Sequence, residues 1–359
     1  MIKHHIVDVK YSKNVLEENK ELINSLGNKC LIVTGKTSAK LSGALEDFLN
    51  IYKGEYIIFD QIKENPKVET ILKVNELLEG IDFVVGIGGG SVQDASKAIA
   101  NMVTNKTNSE EELYKQTWPN KKVPLILIGT SAGTGSEVTR VAVLSKANKR
   151  KSSLNPECFY ATYALCNPVY TYSMNDEIRL TTGIDAFAHL VESYFSNKAT
   201  DVSRGYSIEG LKLVIPALDK LRNKELNDSV KDDLYLGSLY GGLAIDVTGT
   251  TFAHNVGYYL SEEHNIHHGF ACGEFMEDLF AFQSLNNKEY LNKFLNELNM
   301  DKDYIVKLIK DLMPAANVKL TEEEIDNLLP RWDNNKSVLN SYGKMSLEDI
   351  RNILIKHFN

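Results

Sequence analysis

The stretch from Asp82 to Ala100, DFVVGIGGGSVQDASKAIA, restricts the possible fold more than any other part of the chain. An apolar run from Phe83 to Ile87 enters Gly88, Gly89, Gly90 and Ser91 and passes into a helical pattern. Glycines let the backbone approach a phosphate closely, and the first amides and positive dipole end of the following helix favour negative charge. Ser91 and Asp94 read as a capping pair, with Asp in place of the usual Glu. The spacing departs from G-x-G-x-x-G, because Ser91 stands where the last glycine would follow Gly86 and Gly88. Alone, GGGS fits a tight turn. Behind a buried strand and ahead of an amphipathic helix, it points to a dinucleotide or another diphosphate.

Around this stretch the first half alternates short apolar runs with helical patterns. KCLIVT, EYIIF and VPLILIG read as further strands, and Val68 to Leu78 reads as a helix burying Ile71, Leu72, Leu77 and Leu78. That alternation is the grammar of a parallel sheet covered by helices. After Asn167-Pro168 the composition shifts to long amphipathic stretches, including Ser203 to Leu221, Val230 to Ile245 and Met345 to His357, with no convincing strand. The expected architecture is an α/β dinucleotide-binding domain with a Rossmann-like sheet over residues 1–174 and an all-helical domain over 175–359. The charge run Lys146 to Lys151 reads as a solvated hairpin or loop.

At 359 residues the chain can bury two cores, and its 43% apolar and 25% charged residues are ordinary for globular proteins. A net charge of −8 disfavours nonspecific binding to nucleic acid or anionic lipid. Cys30, Cys158, Cys166 and Cys272 form no C-x-x-C pair, so reduced thiols are expected rather than a zinc knuckle or a disulfide framework. MIKHHIVDVKYSKN lacks the apolar core of a signal peptide, and no run reaches membrane-spanning length; a cytoplasmic location is the expectation.

The second half carries a different chemistry. Asp185 and His189 stand one helical turn apart in TTGIDAFAHLVESY and so project from one helix face, where they can bite a single ion. Taken alone, such a pair is more often a contact on a helix surface. His254 and His268 can add further imidazoles. One carboxylate with three imidazoles is a nitrogen and oxygen site suited to Fe(II) or Zn(II), able to polarise an alcohol or carbonyl oxygen.

GIGGGSVQDASKAIA, TSAGTGSEVT from Thr130 to Thr139, GIDAFAHLVESY, and HNVGYYL followed by HHGFACG together resemble the iron-containing (group III) alcohol dehydrogenases, in order over nearly the whole chain. The resemblance implies the dehydroquinate synthase-like two-domain fold, with an active site in the cleft between the domains, and a homodimer. It implies that Gly88, Gly89, Gly90, Ser91, Asp94, Lys97, Thr130, Ser131 and Thr134 bind the cofactor, and that Asp185, His189, His254 and His268 hold the metal. The implied reaction moves hydride between NAD(P)(H) and a small primary alcohol or aldehyde. His264 and His267 are left out of the ligand set and, with His4, His5 and His357, are expected to be solvated imidazoles.

The chain departs from the family pattern at several points. Many members carry a second histidine one turn after the third ligand; here Tyr258 stands there, a poor base near neutral pH, so proton transfer is expected through water or the ribose. After the fourth ligand, GEFMED places Glu274, Glu277 and Asp278 on a helix, with an exposed or interface face as the plain expectation. In this architecture the loop after KCLIVT lies near the adenosine ribose, where a carboxylate would repel a 2′-phosphate. Gly35 stands there, followed by Lys36, Thr37, Ser38 and Lys40, so Gly35 and Ser38 are assigned to the cofactor and NADP(H) is favoured over NAD(H). A dehydroquinate synthase-like lyase or cyclase is the alternative, against which the uninterrupted GTGSEVT and D-x-x-x-H motifs speak. A noncatalytic binding module is disfavoured because all four ligands and the phosphate loop are intact.

Overall fold

Apolar runs with no polar alternation need cover on both faces, and the computed structural model provides it. The structure describes His4, residues 6–115 and residues 117–359; the expectation for His5 lies outside the described residues. The chain divides into one unit running to Asp176 and a second from Glu177 to Asn359.

The first unit contains the strands β1 (Asp8–Tyr11), β2 (Lys29–Thr34), β3 (Glu55–Phe59), β4 (Phe83–Gly88), β5 (Leu125–Gly129), β6 (Ala142–Ser145), β7 (Lys151–Leu154) and β8 (Tyr163–Cys166). Six of them form a parallel sheet in the order β1-β8-β5-β4-β2-β3. Every residue of β4 and β5 is buried, whereas β1 and β3 at the edges expose several side chains. Central parallel strands are covered by crossover helices on both faces, which is why they read as continuous apolar runs. β6 and β7 form an antiparallel hairpin whose turn is the charged segment 146–150, as the charge run suggested.

The segment from Val68 is a short α-helix, Val68–Leu72, that tightens into a 3-10 turn, Lys73–Leu77. Tightening to three residues per turn brings Val68, Ile71 and Val74 inward and leaves Leu72, Leu77 and Leu78 only half-buried, which corrects the expected face.

The second unit is helical, with no strand among its described residues. Its long helices are Asp176–Tyr194, Asp201–Arg222, Asp228–Thr248, Phe252–Glu263, Met276–Asn286, Lys288–Leu298, Lys302–Leu312 and Leu347–Phe358. The three expected amphipathic stretches all form, and polar caps fix where they start. Thr200 accepts from the Ser203 amide at 3.2 Å, Asn227 from Val230 at 3.0 Å and Ser346 from Asp349 at 3.1 Å. From Gly183 to Tyr194 every residue of the first long helix is buried, so this helix runs through the middle of its unit. Among the described residues no helix is long and apolar enough to cross a membrane.

Candidate functional site

In the first unit the chain leaves β2 outward to β3, then returns to lay β4 on the other side of β2 and continues to β5. The pair β2/β4 is therefore the switch point of the sheet, where open α/β sheets bind ligands beyond the carboxyl ends of their strands. Thr34 lies beside Ile87 in register and its Oγ1 donates to the Ile87 carbonyl at 2.8 Å, so Gly35 and the glycines after β4 emerge as neighbours.

The glycines form a cradle that side chains would fill. A Cβ on Gly88 would sit 2.6 Å from Val92 Cγ2, and one on Gly90 would sit 2.7 Å from Thr134 Cγ2. The turn is thus pressed against the 130–134 loop, whose Thr130 amide donates to the Gly88 carbonyl at 3.1 Å. Gly89, Gly90, Ser91, Ser131 and Thr134 are half-buried, and Thr130 Oγ1 is buried without a hydrogen-bond partner. The helix Gly90–Met102 begins here, and the Val92 and Gln93 amides already donate to the Gly89 carbonyl at 3.0 and 3.2 Å, so the Gly90 and Ser91 amides are the ones without an intrahelical acceptor at this turn.

Ser91 and Asp94 do not form the expected cap. Gly89 occupies the cap position with no side-chain bond, because Asp94 is drawn the other way: it accepts from Ser136 Oγ at 2.6 Å and from the Val143 amide at 2.9 Å. Lys97 is fully buried and donates to Ser136 Oγ at 2.6 Å, Thr139 Oγ1 at 3.1 Å and the Val141 carbonyl at 2.7 Å. Both residues tie the 136–143 segment to the helix and so brace the cradle's wall.

In the second unit, Asp185, His189 and Glu192 lie along the buried face of the Asp176–Tyr194 helix. Asp185 Oδ1 is ringed by imidazoles, with Nε2 of His254 at 3.4 Å and Nε2 of His189 and His268 both at 3.9 Å. Asp185 Oδ1 and His254 Nε2 are buried and have no hydrogen-bond partner. Two facing orphaned atoms are costly unless positive charge lies between them. Donors held at about 2.0–2.1 Å by a tetrahedral ion lie about 3.3–3.4 Å apart, which the 3.4 Å separation matches. The residues present therefore fit a divalent cation.

Glu192 accepts at one oxygen from the Thr251 amide at 2.9 Å, Thr251 Oγ1 at 2.6 Å and the His254 amide at 3.2 Å. Its other oxygen bonds His254 Nδ1. That bond holds a proton on Nδ1, so that Nε2 is the nitrogen that would present its lone pair to a bound ion. Burial works against ionisation of Asp185 and Glu192, but the imidazoles around them outweigh it and hold both carboxyls below their ordinary range. His268 directly precedes Gly269, where only glycine fits: a Cβ there would lie 1.8 Å from the Thr181 carbonyl oxygen. Tyr258 stacks on the His268 ring at 5.4 Å, and burial raises its phenol above the ordinary range, keeping it a donor.

Glu192 and Cys272 were not singled out from the sequence. Glu192 lies two helical turns beyond Asp185 and Cys272 one turn beyond His268, spacings that place each on its ligand's face. Of the excluded histidines, His264 is exposed with Nε2 3.0 Å from the Tyr259 hydroxyl, and His267 is 35% exposed, 3.5 Å from Glu177. His4 is half-buried and its Nδ1 accepts from the Ile6 and Val7 amides at 3.0 and 2.9 Å, so it is not a free loop imidazole.

His357 corrects the expectation more strongly. Only 12% of its side chain is exposed, with Nδ1 2.9 Å from Glu274 and Nε2 2.6 Å from Asp278. Asp278 also takes Lys356 at 2.8 Å, and Glu277 pairs with Lys310 at 2.8 Å. The three acidic side chains after the fourth ligand thus receive the C-terminal helix and Lys310 instead of forming a free exposed face. Burial lowers the His357 imidazolium, but Asp278 and Glu274 overcome it and push it up to about 9. Because the folded value lies above the unfolded one, this stabilisation is complete below about pH 6.5 and is lost as pH rises through about 9. His357→Gln should cost about 2–3 kcal/mol at pH 6 and much less at pH 10, read from urea unfolding at both. An equal cost at the two pH values would show that the imidazolium contributes nothing.

The model of iron-containing alcohol dehydrogenases matches residues 7–168, and that of the C-terminal part of the Fe-containing alcohol dehydrogenase family matches 179–357. The long-chain primary alcohol dehydrogenase AdhA of Thermoanaerobacter ethanolicus is 30% identical over 276 residues, covering 75% of this chain and 68% of that protein. An iron-containing alcohol dehydrogenase structure from Thermotoga maritima superposes with a TM-score of 0.89 at 33% identity, covering 99% of each chain. A sulfoacetaldehyde reductase from Bifidobacterium kashiwanohense in complex with NAD+ gives 0.88 at 25% identity, covering 99% of this chain and 98% of that one.

Proposed function

The chain belongs to the iron-containing alcohol dehydrogenase family, and from that premise we propose that it moves hydride between NADP(H) and a small primary alcohol or aldehyde. The observation that carries this reading is the convergence of the orphaned Asp185 Oδ1 and His254 Nε2, with His189 and His268 around them. Asp185, His189, His254 and His268 would hold Fe(II) or Zn(II), which when bound supplies Lewis-acid polarisation of the substrate oxygen, while the nucleotide supplies or accepts the hydride. Glu192 keeps His254 in the ligating tautomer, and Tyr258 donates a hydrogen bond beside His268. Gly88, Gly89, Gly90, Ser91, Thr130, Ser131 and Thr134 cradle the diphosphate, with Asp94 and Lys97 bracing that wall. Homodimeric assembly and cytoplasmic residence rest on the resemblance and the sequence alone and belong to the same proposal. A screen of NADPH and NADH oxidation over small aldehydes, with the protein loaded with Fe(II) or Zn(II), tests the reading. No oxidation with any aldehyde in a metal-loaded, nucleotide-binding sample would sink it.

The preference for NADP(H) is supported by the end of β2. Gly35 leaves room beside the ribose, Ser38 opens the turn that follows, and Lys36 pairs with Asp60 at 3.0 Å. With 69% of its side chain exposed, Lys36 makes a surface pair worth about 0–1 kcal/mol, so turning it toward a 2′-phosphate costs little. Gly35→Asp should shift preference toward NADH about tenfold or more. Repulsion between unit charges about 4 Å apart is on the order of 1 kcal/mol in water and about 4 at an effective dielectric near 20. The new Cβ would lie 3.0 Å from the Ile62 carbonyl, so Gly35→Ala serves as the control for crowding. If kcat/KM ratios for the two nucleotides are the same in both variants, Gly35 does not face the ribose.

A further inference from the structure

Cys272 stands on the turn His268–Gly273, and its Sγ lies 3.8 Å from both ring nitrogens of His268. Asp185, His254, His268 and Cys272 each offer a donor atom, and these atoms all lie within 4.8 Å of one another. The cysteine is fully buried, and so, nearly, are Asp185 and His254, at 3% and 1% exposure. A buried cysteine by itself is often a small apolar filler. Here a second observation points to a ligand: the orphaned Asp185 Oδ1 and His254 Nε2 face the space that Sγ borders.

We propose that Cys272 Sγ is a further ligand of the ion held by Asp185 and the histidines. The inference rests on the metal reading above and extends it. With a metal–sulfur bond of about 2.3 Å and a metal–nitrogen bond of about 2.0–2.1 Å, the roughly 90–120° angles between neighbouring ligands of a five-coordinate ion would set sulfur and nitrogen about 3.1–3.8 Å apart. The 3.8 Å separations from His268 lie at the upper end of that range. On binding, the sulfur–metal bond forms and the thiol proton passes to solvent. A thiolate among imidazoles and one carboxylate shifts the site toward softer ions, so zinc should be held in preference to Fe(II).

Cobalt(II) reports sulfur ligation directly, whether or not the protein turns over a substrate. Wild type loaded with Co(II) should show a near-ultraviolet sulfur-to-cobalt charge-transfer band. Cys272→Ser and Cys272→Ala should lose that band while keeping the visible bands of nitrogen- and oxygen-bound cobalt. Zinc affinity by chelator competition should fall about tenfold or more in Cys272→Ala. Cobalt bound by wild type without a sulfur band, or unchanged zinc affinity in both variants, overturns the Cys272 assignment and leaves the metal reading standing. Failure of the wild type to bind either ion overturns both. The wild-type spectrum decides the matter even if a variant does not fold.

Discussion

His254→Ala should lower kcat/KM by roughly a thousandfold or more and empty the metal site. The substitution removes the imidazole nitrogen nearest Asp185 Oδ1, at 3.4 Å against 3.9 Å for His189 and His268, and leaves two buried carboxyls, Asp185 and Glu192, facing a void. Lewis-acid stabilisation is worth several kcal/mol, and about 4 kcal/mol corresponds to about a thousandfold in rate. His264→Ala should keep its metal, because His264 is exposed and its ring bonds Tyr259. Nucleotide binding should survive both substitutions and survive chelation, since the glycine cradle is built from β4 and the Gly90–Met102 helix of the other unit. Metal content, nucleotide affinity and steady-state rates on the three proteins check this. Full turnover by a metal-free sample, or equal metal loss in His264→Ala, would refute the assignment.

Glu192→Gln should weaken metal binding by about 10- to 100-fold, although Glu192 is not placed as a ligand. Its carboxylate accepts at both oxygens, from Thr251 and the His254 amide at one and from His254 Nδ1 at the other. A glutamine can keep the first set with its carbonyl, but its NH2 then meets Nδ1 as donor against donor. The imidazole relieves that clash by moving its proton to Nε2, which blocks the lone pair the ion requires. Chelator competition, with circular dichroism as the check on folding, measures the effect. Unchanged affinity in a folded Glu192→Gln would mean that the tautomer is set elsewhere.

The strands β2, β4 and β5, the glycine turn after β4, and the long helices of the second unit were legible because each is written in local order. An apolar run of strand length, a glycine cluster before a helical period, and a carboxylate four residues before a histidine each specify a geometry within a few residues. The family resemblance then linked motifs that lie far apart in the chain. What the sequence did not disclose depends on partners distant in sequence. β1 and β8 are four residues each and are defined by pairing with each other across 155 positions, Asp8 beside Tyr163. Asp94 abandons its helix start for Ser136 and Val143, and His357 is drawn out of solvent by Glu274 and Asp278. Glu192 and Cys272 look like an ordinary helix carboxylate and a stray thiol until the chain brings His254 and His268 against them. Local periodicity determines which way a side chain points from its own element. Only the packing of elements far apart in the chain determines what it meets there, and in this protein that decides which polar groups are buried, which are paired, and which are left facing the space where an ion fits.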